Sequence, residues 1–225
     1  MIIRELISQF PLILPHLYAT ILTGIGGFII SIFIGFLMAL FLDFSSAAKL
    51  LLYPILVVSQ TIPIIFMYPL FLIWFGYGIA SKLFVVILVC FFPVSVSLTD
   101  GLASTDSELL LLFRSFNASR IKTFFYLRLP SAIPSLFSGL KIAATYSIMG
   151  AVIGEWLGAS RGLGVYMLRA YKTFSTPRVF AAIIIVVAAS LIVVYLVKKA
   201  EQLLLPWIQK AEGFSAKTMG KSLEM

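Results

Sequence analysis

Leu17–Leu42 reads LYATILTGIGGFIISIFIGFLMALFL, without a single charged side chain, and closes on Asp43. At about 1.5 Å per residue, a helix of this length crosses a hydrocarbon core of roughly 30 Å with some tilt. Gly27, Ser31, Gly35 and Ala39 recur at every fourth position within it. That spacing lines four small side chains along one ridge, where a neighbouring helix backbone can approach closely.

The same pattern recurs outward from this run. Lys49 to Lys82 holds no charge, and the sequence predicts a span over 50–75 that carries Pro54, Pro63 and Pro69. Interior prolines remove backbone donors, which lipid tolerates only where protein or a cavity supplies other partners. The polar triplet Ser59-Gln60-Thr61 precedes Pro63. It reads either as the lining of a polar pathway or as interhelical hydrogen bonding. Gly76-Tyr77-Gly78 turns the chain, and further spans are expected over 83–99, 131–154 and 179–197, the last stopped by Lys198-Lys199. Lys141 lies close enough to one end to snorkel. The segment 155–178 reads as a glycine-containing loop and 201–225 as a polar tail. With 61% apolar and 12% charged residues and a mean hydropathy of +1.08, the chain cannot cover a water-soluble surface. The expected fold is an all-α membrane protein, a polytopic bundle of about five transmembrane helices in a single domain, 1–225.

Charge sets the orientation. The formal charge of +8 is not gathered on one solvated face, as nucleic-acid binding requires; it flanks the apolar runs. Lys49, Arg114, Arg120, Lys122, Arg128, Lys141, Lys198, Lys199, Lys210, Lys217 and Lys221 fall on one side, eleven against the six of Arg4, Lys82, Arg161, Arg169, Lys172 and Arg178. The first side, with the 100–130 loop and the C-terminus, is therefore predicted cytoplasmic and the N-terminus external. That loop is amphipathic. Thr105-x-x-Glu108 has capping-box spacing, Leu109, Leu112, Phe113 and Phe116 share one helical face, and Asn117-Ala118-Ser119 separates this piece from a second one reaching Leu129. It suits the membrane surface and offers a face to a soluble partner.

Catalytic chemistry has little to build on. There is no G-x-x-x-x-G-K-[ST] phosphate cradle, and Gly158-Ala159-Ser160-Arg161-Gly162-Leu163-Gly164 lacks its lysine. One histidine (His16) and one cysteine (Cys90) cannot assemble a metal cluster or an intramolecular disulfide. No catalytic residues, metal ligands or cofactor are expected, and energy for any transport must come from another chain.

The inner loop resembles the cytoplasmic motif of ABC-importer permeases, E-A-A-x3-G-x9-I-x-L-P. Here Leu111-Leu112-Phe113-Arg114-Ser115-Phe116-Asn117 is followed by nine residues and then Leu127-Arg128-Leu129-Pro130. The Leu-Pro ending and the spacing match. Leu111-Leu112-Phe113 replaces E-A-A, and Asn117 replaces a glycine whose left-handed turn asparagine tolerates best after glycine. His16-Leu17-Tyr18-Ala19-Thr20, Pro63-x5-Pro69-Leu70-x3-Trp74-Phe75-Gly76-x-Gly78, Phe92-Pro93, Pro130-x3-Pro134-x4-Gly139-Leu140 and Gly154-Glu155-Trp156-x5-Arg161-Gly162-Leu163-Gly164 are similar to permeases of the sulfonate, nitrate, taurine and thiamine-precursor group. Many members carry a further N-terminal span that this sequence is expected to lack.

The resemblance implies a type I importer permease in the cell membrane. Two copies would form a homodimer on a pair of cytoplasmic ATP-binding subunits, fed by an extracellular or periplasmic solute-binding protein. Leu112, Phe113, Phe116, Asn117, Ala118, Leu129 and Pro130 would meet the ATPase, and Ser59, Gln60 and Thr61 would line the solute pathway. Glu155, Trp156 and Arg161 would form an outer gate or dock for the binding protein; alternatively, Trp156 is an interfacial anchor beside a solvated Glu155. The solute suggested by Ile153-Gly154-Glu155-Trp156 and Val179-Phe180-Ala181 is a pyrimidine precursor of thiamine, with sulfonate, taurine or nitrate as alternatives. A membrane scaffold, or the coupling subunit of another kind of vitamin transporter, is the rival class.

Overall fold

A computed structural model describes residues 2–156 and 158–206, and within them the chain is helical. Helix α1 (Ile2–Phe44) contains the opening run and continues it outward through Pro11 and Pro15. Next come α2 (Ser46–Ser59), α3 (Ile64–Phe75) and α4 (Ile79–Ala103). Two short helices, α5 (Ser107–Ser115) and α6 (Arg120–Thr123), lead through a π-turn at Phe124–Arg128 into α7 (Leu129–Trp156). Helices α8 (Leu163–Lys172) and α9 (Thr176–Leu204) complete the described chain. The tail from residue 207, with Lys210, Lys217 and Lys221, lies outside the described residues.

Four helical stretches are long and apolar enough to cross a membrane unaided: α1, α4, α6 through α7, and α9. The fifth expected span, 50–75, is two helices, α2 and α3, bent by 103° at a short break. Proline chemistry explains the break. Pro63 has no N–H for the preceding turn, and its extended backbone (ψ 120°) starts α3 afresh. Pro54 and Pro69, by contrast, sit inside helices.

The core is built where α1 and α7 close on α4. The small-residue ridge of α1 faces α4. A Cβ on Gly27 would lie 2.5 Å from the Val86 Cβ, and one on Gly35 2.9 Å from a Val94 methyl. Ser31 and Ala39 are fully buried on the same ridge. On a neighbouring face of α4, Gly139 of α7 leaves room for the Pro93 carbonyl, which a Cβ would meet at 2.5 Å. Phe28, Val86, Cys90, Val94, Phe137 and Ile148 fill the space between. Ser95 donates to the Gly35 carbonyl at 3.3 Å, and the Cys90 thiol to the Ala143 carbonyl at 3.2 Å. In lipid, where apolar surface gains nothing from leaving water, such close packing and interhelical hydrogen bonds hold helices together.

Three local expectations change. Helix α5 is capped by Asp106, whose carboxylate accepts from the Glu108 amide at 2.8 Å, whereas the Thr105 hydroxyl turns back to the Leu102 carbonyl. Asp106 wins because a carboxylate is the stronger acceptor at a helix N-terminus. Lys141 pairs with Glu201 of α9 at 3.0 Å rather than only snorkelling. The expected loop 155–178 contains α8, whose Leu163 and Ala170 are buried.

Candidate functional site

The inner segment is shaped by its helix ends. At the end of α5 the Ala118 amide reaches the Phe113 carbonyl and the Asn117 amide the Arg114 carbonyl. Asn117 sits at φ 54° between them. This is a Schellman stop, and the left-handed residue it needs is the asparagine the sequence supplies in place of glycine. Ser119 then caps α6 through the Lys122 amide at 3.3 Å. Phe124 and Leu127 are buried, Phe124 against Ala39, Leu98, Leu102 and Ala132, and so fasten the segment to the bundle. Leu112 and Phe116 stay exposed, Phe116 at 76%, with Ile121, Phe125 and Tyr126 exposed nearby. Phe113 and Ala118 are half-buried, and Leu129 and Pro130 open α7. Among the described residues, the segment thus presents an apolar face that no other element covers.

At the break between α2 and α3, a cavity of about 580 Å³ opens toward α4 and α7. Ser59 and Gln60 line it, together with Met67, Phe92, Ser97, Tyr146 and Met149, and no lining residue is charged. Thr61 stands at the break but outside the lining; its hydroxyl is spent on the Val58 carbonyl at 2.7 Å. Ser59 likewise returns a hydroxyl to the Leu56 carbonyl at 2.8 Å. The Val58 carbonyl also accepts from the Thr61 amide at 3.0 Å, so both hydroxyls are held by local backbone bonds at the break.

At the other end, the expected trio separates. Trp156 and Arg161 are exposed, whereas Glu155 is 1% exposed and is no solvated carboxylate. Its Oε2 accepts from the Gly164 amide at 2.8 Å and its Oε1 from the Thr20 hydroxyl at 2.7 Å. Thr20 in turn accepts from the Leu163 amide at 2.8 Å. Gly162, the residue preceding α8, has no side chain to cap it, so Glu155 and Thr20 cap that helix from α7 and α1. A negative group at a helix N-terminus is electrostatically favoured and satisfies its free amides. His16 adds Nδ1 within 3.0 Å of the Gly162 amide and 2.9 Å of its carbonyl, accepting or donating according to tautomer. Two motifs far apart in sequence, His16 to Thr20 and Gly154 to Gly164, are therefore one hydrogen-bonded unit.

Sequence reasoning missed an ion pair at the inner end. Arg128 makes two parallel bonds to Asp43, 2.7 and 2.8 Å, and a third to the Leu102 carbonyl at 3.0 Å. Both charges were legible as the ends of apolar runs, but no spacing rule links residues so distant in the chain.

Comparison with known proteins agrees with this architecture. The family model for a binding-protein-dependent transport system inner membrane component matches residues 31–205. The formylaminopyrimidine transport permease ThiX of Halalkalibacterium halodurans is 39% identical over 93% of this chain and 84% of its own length. The putative aliphatic sulfonates transport permease SsuC of Bacillus subtilis is 29% identical over 88% of this chain and 72% of its own. A chain in an inward-facing structure of the MetNI methionine ABC transporter superposes with a TM-score of 0.65, covering 83% of this chain and 93% of that one at 17% identity, a likeness of fold. An all-helical bundle, an exposed apolar segment ending in Leu-Pro and a family match across most of its length identify this chain as a member of the binding-protein-dependent transport system inner membrane components, the permeases of ABC importers.

Proposed function

We propose that this permease imports a formylated or free aminopyrimidine, a precursor of thiamine, delivered by an external binding protein. The observation that carries this reading is the 39% identity with a formylaminopyrimidine permease over 93% of the chain. The cavity chemistry is compatible with it. Ser59, Gln60, Ser97 and Tyr146 offer neutral hydrogen-bonding groups, and Phe92 and Tyr146 offer rings against which a flat heteroaromatic can stack. Aliphatic sulfonate is the second reading, favoured by the 29% identity with SsuC. A sulfonate, however, would enter a pathway with no cation in its lining.

The whole chain, 1–225, acts as one permease domain. ATP is hydrolysed in a separate cytoplasmic subunit pair, on which two copies of this chain rest their 104–129 segments. Leu112, Phe113, Phe116, Asn117, Ala118, Leu129 and Pro130 form or frame that contact, and the exposed apolar face supports it. Ser59, Gln60 and Thr61 stand at the pathway; Trp156 and Arg161 face the binding protein, while Glu155 holds the outer helix from within.

The solute is tested by growth. A strain unable to make the thiamine pyrimidine, fed formylaminopyrimidine at limiting concentration, should stop growing when this chain is deleted. Unchanged growth, combined with loss of growth on an alkanesulfonate as sole sulfur source, transfers the assignment to sulfonate.

A further inference from the structure

We propose that Arg128 and Asp43 are positioning residues that transmit movement of the inner segment into the helical bundle; the inference rests on the reading that this segment meets an ATPase. Three helix ends converge on one guanidinium. Helix α1 ends at Phe44, one residue after Asp43, and α4 ends at Ala103, one residue after Leu102. The negative ends of both helix dipoles lie at this corner, and the Leu102 carbonyl, which also accepts from the Thr105 hydroxyl at 3.0 Å, belongs to the last turn of α4. Asp43 adds a full negative charge to it with a side chain only 5% exposed. A carboxylate so placed is unfavourable by itself, and Arg128 supplies the neutralising cation from the end of the π-turn that leads into α7.

The geometry of Arg128 matters as much as its charge. The guanidinium fork holds both carboxylate oxygens while one of its nitrogens also reaches the Leu102 carbonyl, so α1, α4 and the entry to α7 share one side chain. A lysine ammonium offers no planar fork and cannot reproduce this set. Arg128 is also the last residue of the π-turn, in which the Leu129 amide bonds to the Phe124 carbonyl. This wider turn ends two residues before Pro130, which has no amide to give and whose ring would crowd a tight α-turn. A π-turn is a compliant link. Without the clip, a push on α5 and α6 is absorbed by bending there; with it, the push moves α7, α1 and α4 together.

The test uses the complex of this chain with its ATPase subunit, in a Cys90→Ala background carrying a single cysteine at exposed Ser160 on the outer face. In the parent complex, ATP with vanadate should change thiol reactivity at Ser160. Arg128→Gln and Arg128→Lys should still assemble with the ATPase, yet cut that response roughly tenfold, a usual size for coupling between distant sites. The exchange Asp43→Arg with Arg128→Asp should restore part of it. A response in both single variants equal to the parent's overturns the inference, with the import reading untouched. Loss of assembly in both that the exchange does not repair also overturns it, since the pair then serves only the fold. If the parent chain itself binds no ATPase, the import reading fails, and the transmitting role falls with it.

Discussion

Gly162 shows how much one residue decides here. Its φ of 141° lies where side chains are rarely found, and a Cβ would fall within the carboxyl of Glu155. Gly162→Ala should therefore destabilise the chain by on the order of 3 kcal/mol, combining backbone strain with overpacking. Thermal denaturation in detergent, followed by loss of monodisperse protein, measures it; an unshifted midpoint would show that the outer unit rearranges freely. Asn117 and Phe174 are the non-glycine residues with positive φ among those described, each closing a helix with a Schellman stop. The first is readable from sequence, because asparagine visits that region readily. The second is not. Phenylalanine carries no such preference, and the α8 it terminates was itself hidden in a segment that reads as a glycine-containing loop.

Among the elements, α1 and α4 carry the clearest sequence imprint. The four-residue spacing of Gly27, Ser31, Gly35 and Ala39 predicted a close helix contact, and the structure identifies the partner as α4. The neighbouring pair Gly26 and Gly27 separates packing from propensity. A Cβ at Gly26 meets only a Leu83 methyl at 3.4 Å, whereas at Gly27 it meets Val86 at 2.5 Å. Gly26→Ala should be neutral or slightly stabilising, since alanine is the better helix former. Gly27→Ala should cost roughly 1–3 kcal/mol by forcing the helices apart. Comparing the two midpoints in one detergent checks this, and equal effects would place the contact elsewhere. The α2–α3 pair was less legible. Its hydropathy is that of one span, and three prolines occur in it, but nothing local says which one breaks the helix.

For the whole molecule, orientation follows from charge. The 104–129 segment carries Arg114, Arg120, Lys122 and Arg128, and the positive-inside rule predicts that it faces the cytoplasm. With Cys90 replaced by alanine, a cysteine at Ser160 should react with a membrane-impermeant thiol reagent in intact cells. One at Ser119 should react only after permeabilisation. The reverse pattern would invert the topology. The same layout frames the two polar fastenings, Glu155 with Thr20 at one end of α7 and Arg128 with Asp43 at the other. Together they join α7 to α1 at both ends, while α2 packs no side chain fully into the core of this chain.

The sequence by itself determined that the protein is a bundle of apolar helices and which family motif its basic loop resembles, and its charge asymmetry predicts the side that loop faces. These follow from properties summed along the chain, such as hydropathy, charge and spacing, and lipid demands them residue by residue. Only the tertiary structure decided that Glu155 is buried under α8, that Thr20 meets its carboxylate and His16 the Gly162 backbone, that Arg128 pairs with Asp43 and that Ser59 and Gln60 reach a shared cavity while Thr61 does not. Each of these joins helices distant in the chain. Such a polar pair is chosen by which groups the packed helices leave without water or another partner, and that is settled only once the helices are in place.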